Sequence, residues 1–429
     1  MIYDLAIIGG GVAGYSAGLR AGAVGLRTVL VERDQLGGTC LHRGCIPTKF
    51  LAHAAALFKQ TKDLRRYGIT SDNVKFNLAA AQSRKKEIIG QLRTGIDQLL
   101  GQGKVDVVYG NAYLCGEGLV RVDEQDITAK NILIATGARP FPPILNGAIT
   151  SDELLEMEQV PQSLTIIGGG VIAVEFADVF NALGTNVTMC LRSDKLLHRW
   201  DREISQSITQ SFRRRGIKII PNCDDFLDFQ SEITLSATGR VPNTQNLFGN
   251  GLEIRVDSGI VVNEYGETNV RGIFAAGDVT SGSSQLAHIA AVSGERAVDH
   301  IAGLPVTPFP EAVSCIYISP EAATVGFTES EAKKRGMVVA VGKYTMTANA
   351  RTLIATNERG FIKLIAENKS HILIGAQLMC ERASDMIGEL SLAISRKMTI
   401  ETLAANIRPH PSFAEGVSNA LDNLRGKLK

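Results

Sequence analysis

One pattern occurs twice in the chain and restricts the folds open to it. Leu5-Ala6-Ile7-Ile8-Gly9-Gly10-Gly11-Val12-Ala13-Gly14 recurs as Leu164-Thr165-Ile166-Ile167-Gly168-Gly169-Gly170-Val171-Ile172-Ala173. The register continues, with Gly25 mapping to Gly184 and Thr28–Val31 to Val187–Cys190. Each copy reads as a buried strand, a glycine turn, a helix and a second buried strand, the opening of a doubly wound βαβ unit. In such a unit the first glycine (Gly9, Gly168) makes the tight turn. The second (Gly11, Gly170) lets the backbone approach a pyrophosphate, and the third position (Gly14, Ala173) must stay small for the helix to pack on the strand. The pyrophosphate then rests on unsatisfied helix N–H groups at the positive end of the dipole. One such turn also arises for packing alone. Two in register predict two dinucleotide sites.

The second strands of the two copies differ. Glu32 lies roughly 20 residues beyond Gly9, where a carboxylate accepts hydrogen bonds from an adenosine ribose. The matching position in the second copy is Leu191, followed by Arg192, with Lys195, His198 and Arg199 as further cations. A guanidinium in place of a carboxylate suits a ribose bearing a 2′-phosphate. NADP is therefore favoured over NAD at the second site. The alternative leaves Arg192 as a solvated loop residue.

The formal net charge of +1 gives no global attraction to nucleic acid or an anionic membrane. No apolar run approaches the ~20 residues needed to span a bilayer. The first strand begins at once, without a signal segment, so a cytoplasmic protein is expected. At 429 residues the chain has room for two to four domains of ~100–200 residues. Seven cysteines in such a length are no disulfide scaffold. Two of them, Cys40 and Cys45, follow the first nucleotide-binding strand closely, within Leu36-Gly37-Gly38-Thr39-Cys40-Leu41-His42-Arg43-Gly44-Cys45-Ile46-Pro47-Thr48-Lys49. Free cysteines are usually small buried hydrophobes. Their place among glycines that permit close backbone approach favours a reactive pair. Cys115, Cys190, Cys223, Cys315 and Cys380 read as structural or incidental.

That stretch closely resembles the active-site signature of the class I pyridine nucleotide–disulfide oxidoreductases, most nearly the dihydrolipoamide dehydrogenases, and the resemblance covers essentially the whole chain. It implies an α/β fold with two Rossmann-like domains and a C-terminal α+β dimerisation domain. The FAD domain would comprise 1–145 and 265–305, the NAD(P) domain 146–264, and the interface domain 306–429. It implies FAD against Gly9, Gly11, Gly14, Glu32, Gly38, Thr39, Lys49, Ala112, Thr136, Gly137, Asp278 and Ala287. The nicotinamide nucleotide would lie against Gly168, Gly170, Val171, Glu175, Arg192 and Gly239. Ala135-Thr136-Gly137, Ala276-Gly277-Asp278 and Leu286-Ala287-His288 resemble flavin-domain segments, Asp278 taking the ribityl chain. Lys49 matches the lysine near the flavin and Glu175 the glutamate paired with it. His410-Pro411-Ser412-Phe413-Ala414-Glu415 resembles the family's catalytic histidine and its orienting glutamate. In the family the histidine comes from the partner subunit, which implies a homodimer. By the same resemblance Cys40 is the sulfur attacked by substrate and Cys45 the one beside the flavin. No metal is expected. A lipoyl-bearing carrier protein of a multienzyme system is the implied partner.

Glutathione reductase is the competing branch. Leu191-Arg192-Ser193-Asp194-Lys195 and Gly239-Arg240-Val241-Pro242-Asn243 look more like it. Against it, Leu19 stands where that branch places a substrate-binding arginine, and Val171 replaces its aromatic gate. Gly375-Ala376-Gln377-Leu378 and Asp385-Met386-Ile387 look lipoamide-type. The absence of a cysteine pair in Gly426–Lys429 argues against mercuric and large thioredoxin reductases. A scaffolding or redox-sensing flavoprotein is a third class, and it predicts lost catalytic residues, whereas Cys40, Cys45, Lys49 and His410 are present. The NAD(P) domain looks short, with Phe226–Phe229 and Ile233–Leu235 as strand candidates where the family has a longer β-meander. A helical pair over 50–101, strands at Ser314–Ile318, Phe361–Ile365 and Ile372–Leu378, and helices at 383–397 and 412–424 complete the expectation. Pro305, Pro308 and Pro310 punctuate the approach to the last domain.

Overall fold

The computed structural model describes residues 2–223, 231–249, 251–309, 311–355 and 359–428. Phe226–Phe229 and Pro310 lie outside the described residues.

The first repeat supplies two interior strands of a seven-stranded sheet. Ile2–Ile8, whose Leu5, Ala6 and Ile7 are fully buried, pairs in parallel with Thr28–Glu32 on one side and Gln125–Ile134 on the other. Asp106–Tyr109 extends the sheet beyond Thr28–Glu32, and Ile273–Ala275 returns from far along the chain to pair in parallel with Gln125–Ile134. Leu119–Val122 and Ala112–Gly116 continue it as an antiparallel meander. Helix Val12–Ala23 buries only small residues (Ala13, Gly14, Ser16, Ala17, Gly18, Ala21), so helix Ala287–Ile301 comes close. A Cβ added to Gly294 would stand 2.3 Å from the Ala13 carbonyl oxygen.

The second repeat builds a parallel sheet in the order Lys218–Ile220, Asn186–Cys190, Ser163–Ile167, Ile233–Ser236 among the described residues. The expected meander strand at Ile233–Leu235 is thus a parallel neighbour of the first strand of its unit. The chain crosses between the units on a two-stranded ribbon, Ala138–Pro140 against Arg240–Pro242.

The C-terminal sheet is antiparallel, in the order Ser314–Ile316, Ala322–Gly326, Leu373–Met379, Phe361–Glu367, Val339–Thr345. Helices Ala383–Ser395 and Glu415–Arg425 pack on it. The strand expected over Ser314–Ile318 ends at Ile316, ahead of the Ser319-Pro320 break. The helical pair spans Cys45–Thr61 and Leu78–Gln102. It begins earlier than 50 because Pro47 falls in the first turn, where its missing N–H costs nothing. One apolar cluster runs from Leu51 and Leu78 through Phe176, Ile204 and Ile208 to Phe361 and Met379, joining all three parts. Among the described residues no helix is long and apolar enough to cross a membrane.

Candidate functional site

A cleft of about 1850 Å³ opens where the two repeats and the C-terminal sheet meet. The first glycine turn forms one wall. Gly9 takes φ 105°, a conformation open to glycine, and helix Val12–Ala23 starts at Gly11 with no side chain capping it. Its free N–H groups face the cleft with the positive end of the dipole. Gly14 does not line the cleft; a Cβ there would sit 1.8 Å from the Gly9 oxygen, so it sets how closely the helix meets the turn. The Glu32 carboxylate is fixed by Gly10 N–H at 2.6 Å and Asp34 N–H at 2.8 Å, and it lines the cleft. Gly38, Thr39, Ala112, Thr136, Gly137 and Ala287 border the same side. Asp278 also faces in. Among the described residues no hydrogen bond reaches its carboxylate; burial pushes its pKa up, against the opposing pull of Arg240. Uncapped N–H groups, a held carboxylate and a half-buried aspartate without a hydrogen bond among the described residues fit a nucleotide that brings phosphates and hydroxyls.

The opposite wall repeats the construction. Gly168 takes φ 134°, Gly170 leads helix Val171–Leu183 without a side-chain cap, and a Cβ on Gly170 would meet open space. Where the first unit turns Glu32 toward its glycines, the second packs Leu191, 1 % exposed, against Gly169. Arg192, exposed, lines the cleft beyond it with His198 and Arg199. Gly239 and Val171 complete this side.

Between the walls lie the two cysteines. Cys40 sits in helix Gly38–Arg43 and Cys45 is the first residue of helix Cys45–Thr61. Gly44 breaks the path between them, and a Cβ there would press on the Thr39 carbonyl at 2.9 Å. The break brings the two thiols into hydrogen-bonding contact. Cys45 is pulled down to about 7, first by the bond Cys40 donates and then by the Lys49 ammonium, against the opposing effect of burial. The same bond and burial push Cys40 up. A helix N-terminus also favours a thiolate at Cys45. Lys49 Nζ donates to both oxygens of buried Glu175, at 3.0 and 2.9 Å, across the gap between the units.

Tyr317 was not foreseen from the sequence. Its N–H donates to Glu175 Oε1 at 2.9 Å, and Lys49 Nζ stands 4.7 Å from its ring centroid. Its chain separation from Glu175 leaves no local signal. Trp200, the chain's single tryptophan, also lines the cleft, and no sequence pattern marks it.

His410 and Glu415 are brought to each other but not to the cysteines. Nδ1 and Oε1 are 2.6 Å apart, and Ser412 N–H holds the other oxygen at 2.8 Å. These bonds lower the Glu415 pKa. The imidazole is 76 % exposed and takes no part in the cleft wall of its own chain. Among the described residues no group of three or more His, Cys, Asp or Glu side chains could hold a metal.

Residues 3–294 match the model of the pyridine nucleotide-disulphide oxidoreductases, and residues 312–421 match that family's dimerisation domain, which supports a homodimer. The chain is 35 % identical to a dihydrolipoyl dehydrogenase of Bacillus subtilis, covering 99 % of this chain and 98 % of the relative. Among solved structures it superposes on LpdA from Mycobacterium tuberculosis with TM-score 0.89 at 25 % identity, over 98 % and 99 % of the two chains. It matches the HOCl-induced flavoprotein disulfide reductase RclA from Escherichia coli with TM-score 0.87 at 28 % identity, over the whole of both. The family is FAD-dependent and binds NAD or NADP. Matched in both of its parts along nearly its whole length, this chain belongs to the pyridine nucleotide-disulphide oxidoreductases.

Proposed function

We propose that the chain is a dihydrolipoamide dehydrogenase of the cytoplasm. It oxidises a dihydrolipoyl group, delivered on a carrier protein, and passes two electrons through the Cys40/Cys45 pair and FAD to a nicotinamide nucleotide. One observation carries the reading: two thiols in contact at the base of a doubly built dinucleotide cleft, one of them pulled down to about 7.

A substrate thiol of pKa ~8.5 is only about 3 % ionised at pH 7, and the thiolate is the nucleophile. His410 of a second copy takes that proton at Nε2, because Nδ1 is engaged by Glu415. The thiolate attacks Cys40 in the Cys40–Cys45 disulfide, the S–S bond breaks, and Cys45 leaves as the thiolate its surroundings favour. The second substrate sulfur then attacks the first, closing the lipoyl disulfide and releasing Cys40. Of the two protons lost, one ends on Cys40 and one on His410. FAD, when bound, supplies a two-electron carrier between the dithiol and the nicotinamide. Gly9, Gly11, Glu32 and Asp278 would hold it, and Lys49 compensates the buried Glu175 charge between the two nucleotides.

NADP is the nucleotide we favour. Leu191 fills the place of a ribose-binding carboxylate, and the exposed Arg192 beside it is free to meet a 2′-phosphate. A charge-assisted bond is worth about 1.5–3 kcal/mol, enough for roughly tenfold preference.

The test is the initial rate of dihydrolipoamide oxidation by the FAD-loaded protein with NAD and NADP at matched concentrations, in wild type and His410→Ala. The expected result is turnover preferring NADP, falling by ~10²–10⁴ in the variant. Turnover preferring NAD refutes the nucleotide assignment alone. No turnover with either, alongside reduction of glutathione disulfide, refutes the substrate. Undiminished turnover in His410→Ala removes the histidine from the mechanism.

A further inference from the structure

The stretch of the second unit that carries His198, Arg199 and Trp200 is fastened at both ends. At one end Leu197 N–H donates to the Gly169 carbonyl at 2.8 Å, tying the loop to the glycine turn. The first repeat makes the same tie with Gly37 N–H and the Gly10 carbonyl, also at 2.8 Å. Leu197 holds φ 52°, a left-handed conformation that an L-residue keeps only when its surroundings enforce it. Just beyond lie His198, Arg199 and Trp200, all on the cleft wall. Asp201 follows at once and has no counterpart in the first repeat.

Asp201 is the far fastening. Its Oδ1 caps helix Arg202–Arg214 by accepting from Glu203 N–H at 2.9 Å. Both its oxygens also accept from Lys363 Nζ at 2.7 Å, and both side chains are nearly sealed from water, at 5 and 3 % exposed. Lys363 reaches Glu203 as well, at 3.1 Å, and Lys343 Nζ bonds the other Glu203 oxygen. Burial opposes ionisation of Glu203, but the two lysines outweigh it and hold its pKa below the usual carboxylate range. Lys343 and Lys363 are direct cross-strand partners in the C-terminal sheet. Two adjacent like charges are unfavourable there unless anions lie across them. The lysine pair and the carboxylate pair therefore account for each other, and they join two different parts of the molecule.

We infer that Lys363 and Lys343 are positioning residues for the nicotinamide nucleotide: by clamping Asp201 and Glu203 they hold the His198–Trp200 wall in its binding position. A short second unit needs such a hold from outside, because its own sheet presents four parallel strands among the described residues. The inference rests on the reading that this cleft side takes the nucleotide. Its own residues touch neither the cysteines nor His410.

Trp200 reports on the clamp directly, since no other tryptophan contributes. Two FAD-loaded variants are needed, Lys363→Met and the charge-neutral pair Lys363→Met with Asp201→Asn. The second removes the instability of a lone buried charge while leaving the clamp broken. Acrylamide quenching of Trp200 emission is measured without nucleotide, and NADP+ affinity by titration of the same emission. Steady-state rates give KM for nucleotide and kcat/KM for dihydrolipoamide. In both variants we expect easier quenching of Trp200 and NADP+ Kd and KM raised by about tenfold, with kcat/KM for dihydrolipoamide within about twofold. Wild-type affinity in the double variant would show that only the unpaired charge mattered, and the inference falls. Unchanged Trp200 quenching overturns it too. A wild-type protein that bound no nucleotide would refute the functional reading instead, and the quenching comparison would still test the clamp's hold on the loop.

Discussion

In the proposed mechanism Cys45 concentrates the chemistry of the site in one atom. Its thiol is pulled down to about 7, so thiolate is easier to form here than at an ordinary cysteine. The largest cause is a hydrogen bond from Cys40, with Lys49 adding to it. The sign follows: thiolate accumulates as pH rises through about 7, and below it Cys45 becomes a poorer leaving group. Burial wins at two sulfurs elsewhere, pushing Cys190 up to about 12 and Cys315 up to about 11. Thiolate ultraviolet absorbance of the reduced protein, taken as the difference from Cys45→Ser, should therefore titrate with a midpoint of about 7. In Cys40→Ala the midpoint should move upward, because the main donor is gone. An unmoved midpoint would assign the shift to Lys49 and the helix terminus.

At the scale of elements the two glycine turns differ at their third position, Gly14 against Ala173. In Gly14→Ala the added carbon would lie 1.8 Å from the Gly9 oxygen. Backbone cannot yield there as a side chain does, so helix Val12–Ala23 must lift from its turn. The cost should exceed the about 1–3 kcal/mol of ordinary overpacking. Melting temperature and the flavin-to-protein absorbance ratio should fall together. Ala173→Gly should cost only about 1 kcal/mol of helix propensity and leave the flavin ratio intact. A Gly14→Ala protein holding full flavin would refute the close approach. These turns were legible in the sequence because strand, turn and helix are local and the pattern repeats. So was the cysteine pair, bent together by one glycine. What escaped is the long-range part. Nothing near Glu175 points to Tyr317, and nothing near Asp201 points to Lys363. Ile233–Leu235 read as part of a meander because an apolar run does not state its partner, yet it pairs in parallel with Ser163–Ile167. The Lys49–Glu175 pair came from family resemblance rather than from periodicity or spacing.

The whole molecule raises a different question, because one chain does not bring its histidine to its own thiols. The segment bearing His410 is tied down by a hydrogen-bond network. The Arg408 guanidinium, 3 % exposed, donates to Glu389 Oε1 at 2.6 Å and to Ser418 Oγ at 3.0 Å, and Asn406 Nδ2 reaches Glu389 at 2.9 Å. That network ties the loop to helices Ala383–Ser395 and Glu415–Arg425, while Ile407 at 92 % and Leu392 at 58 % exposed flank it. A firmly mounted imidazole directed outward, bordered by apolar side chains, suits delivery into a second copy's cleft. Mixing two inactive proteins tests this. In the proposed mechanism Cys40→Ser lacks the attacked sulfur and His410→Ala lacks the base. If the base acts across the dimer, a mixed dimer contains one complete site, made from the intact cysteines of one chain and the intact histidine of the other. Random reassortment makes half the dimers mixed with one good site of two, so activity should rise to about a quarter of wild type. If the base served its own chain, every site in every dimer would lack one group, and mixing would restore nothing. Dissociating and reassociating the two proteins together, with each treated alone as control, separates the two arrangements by dihydrolipoamide turnover.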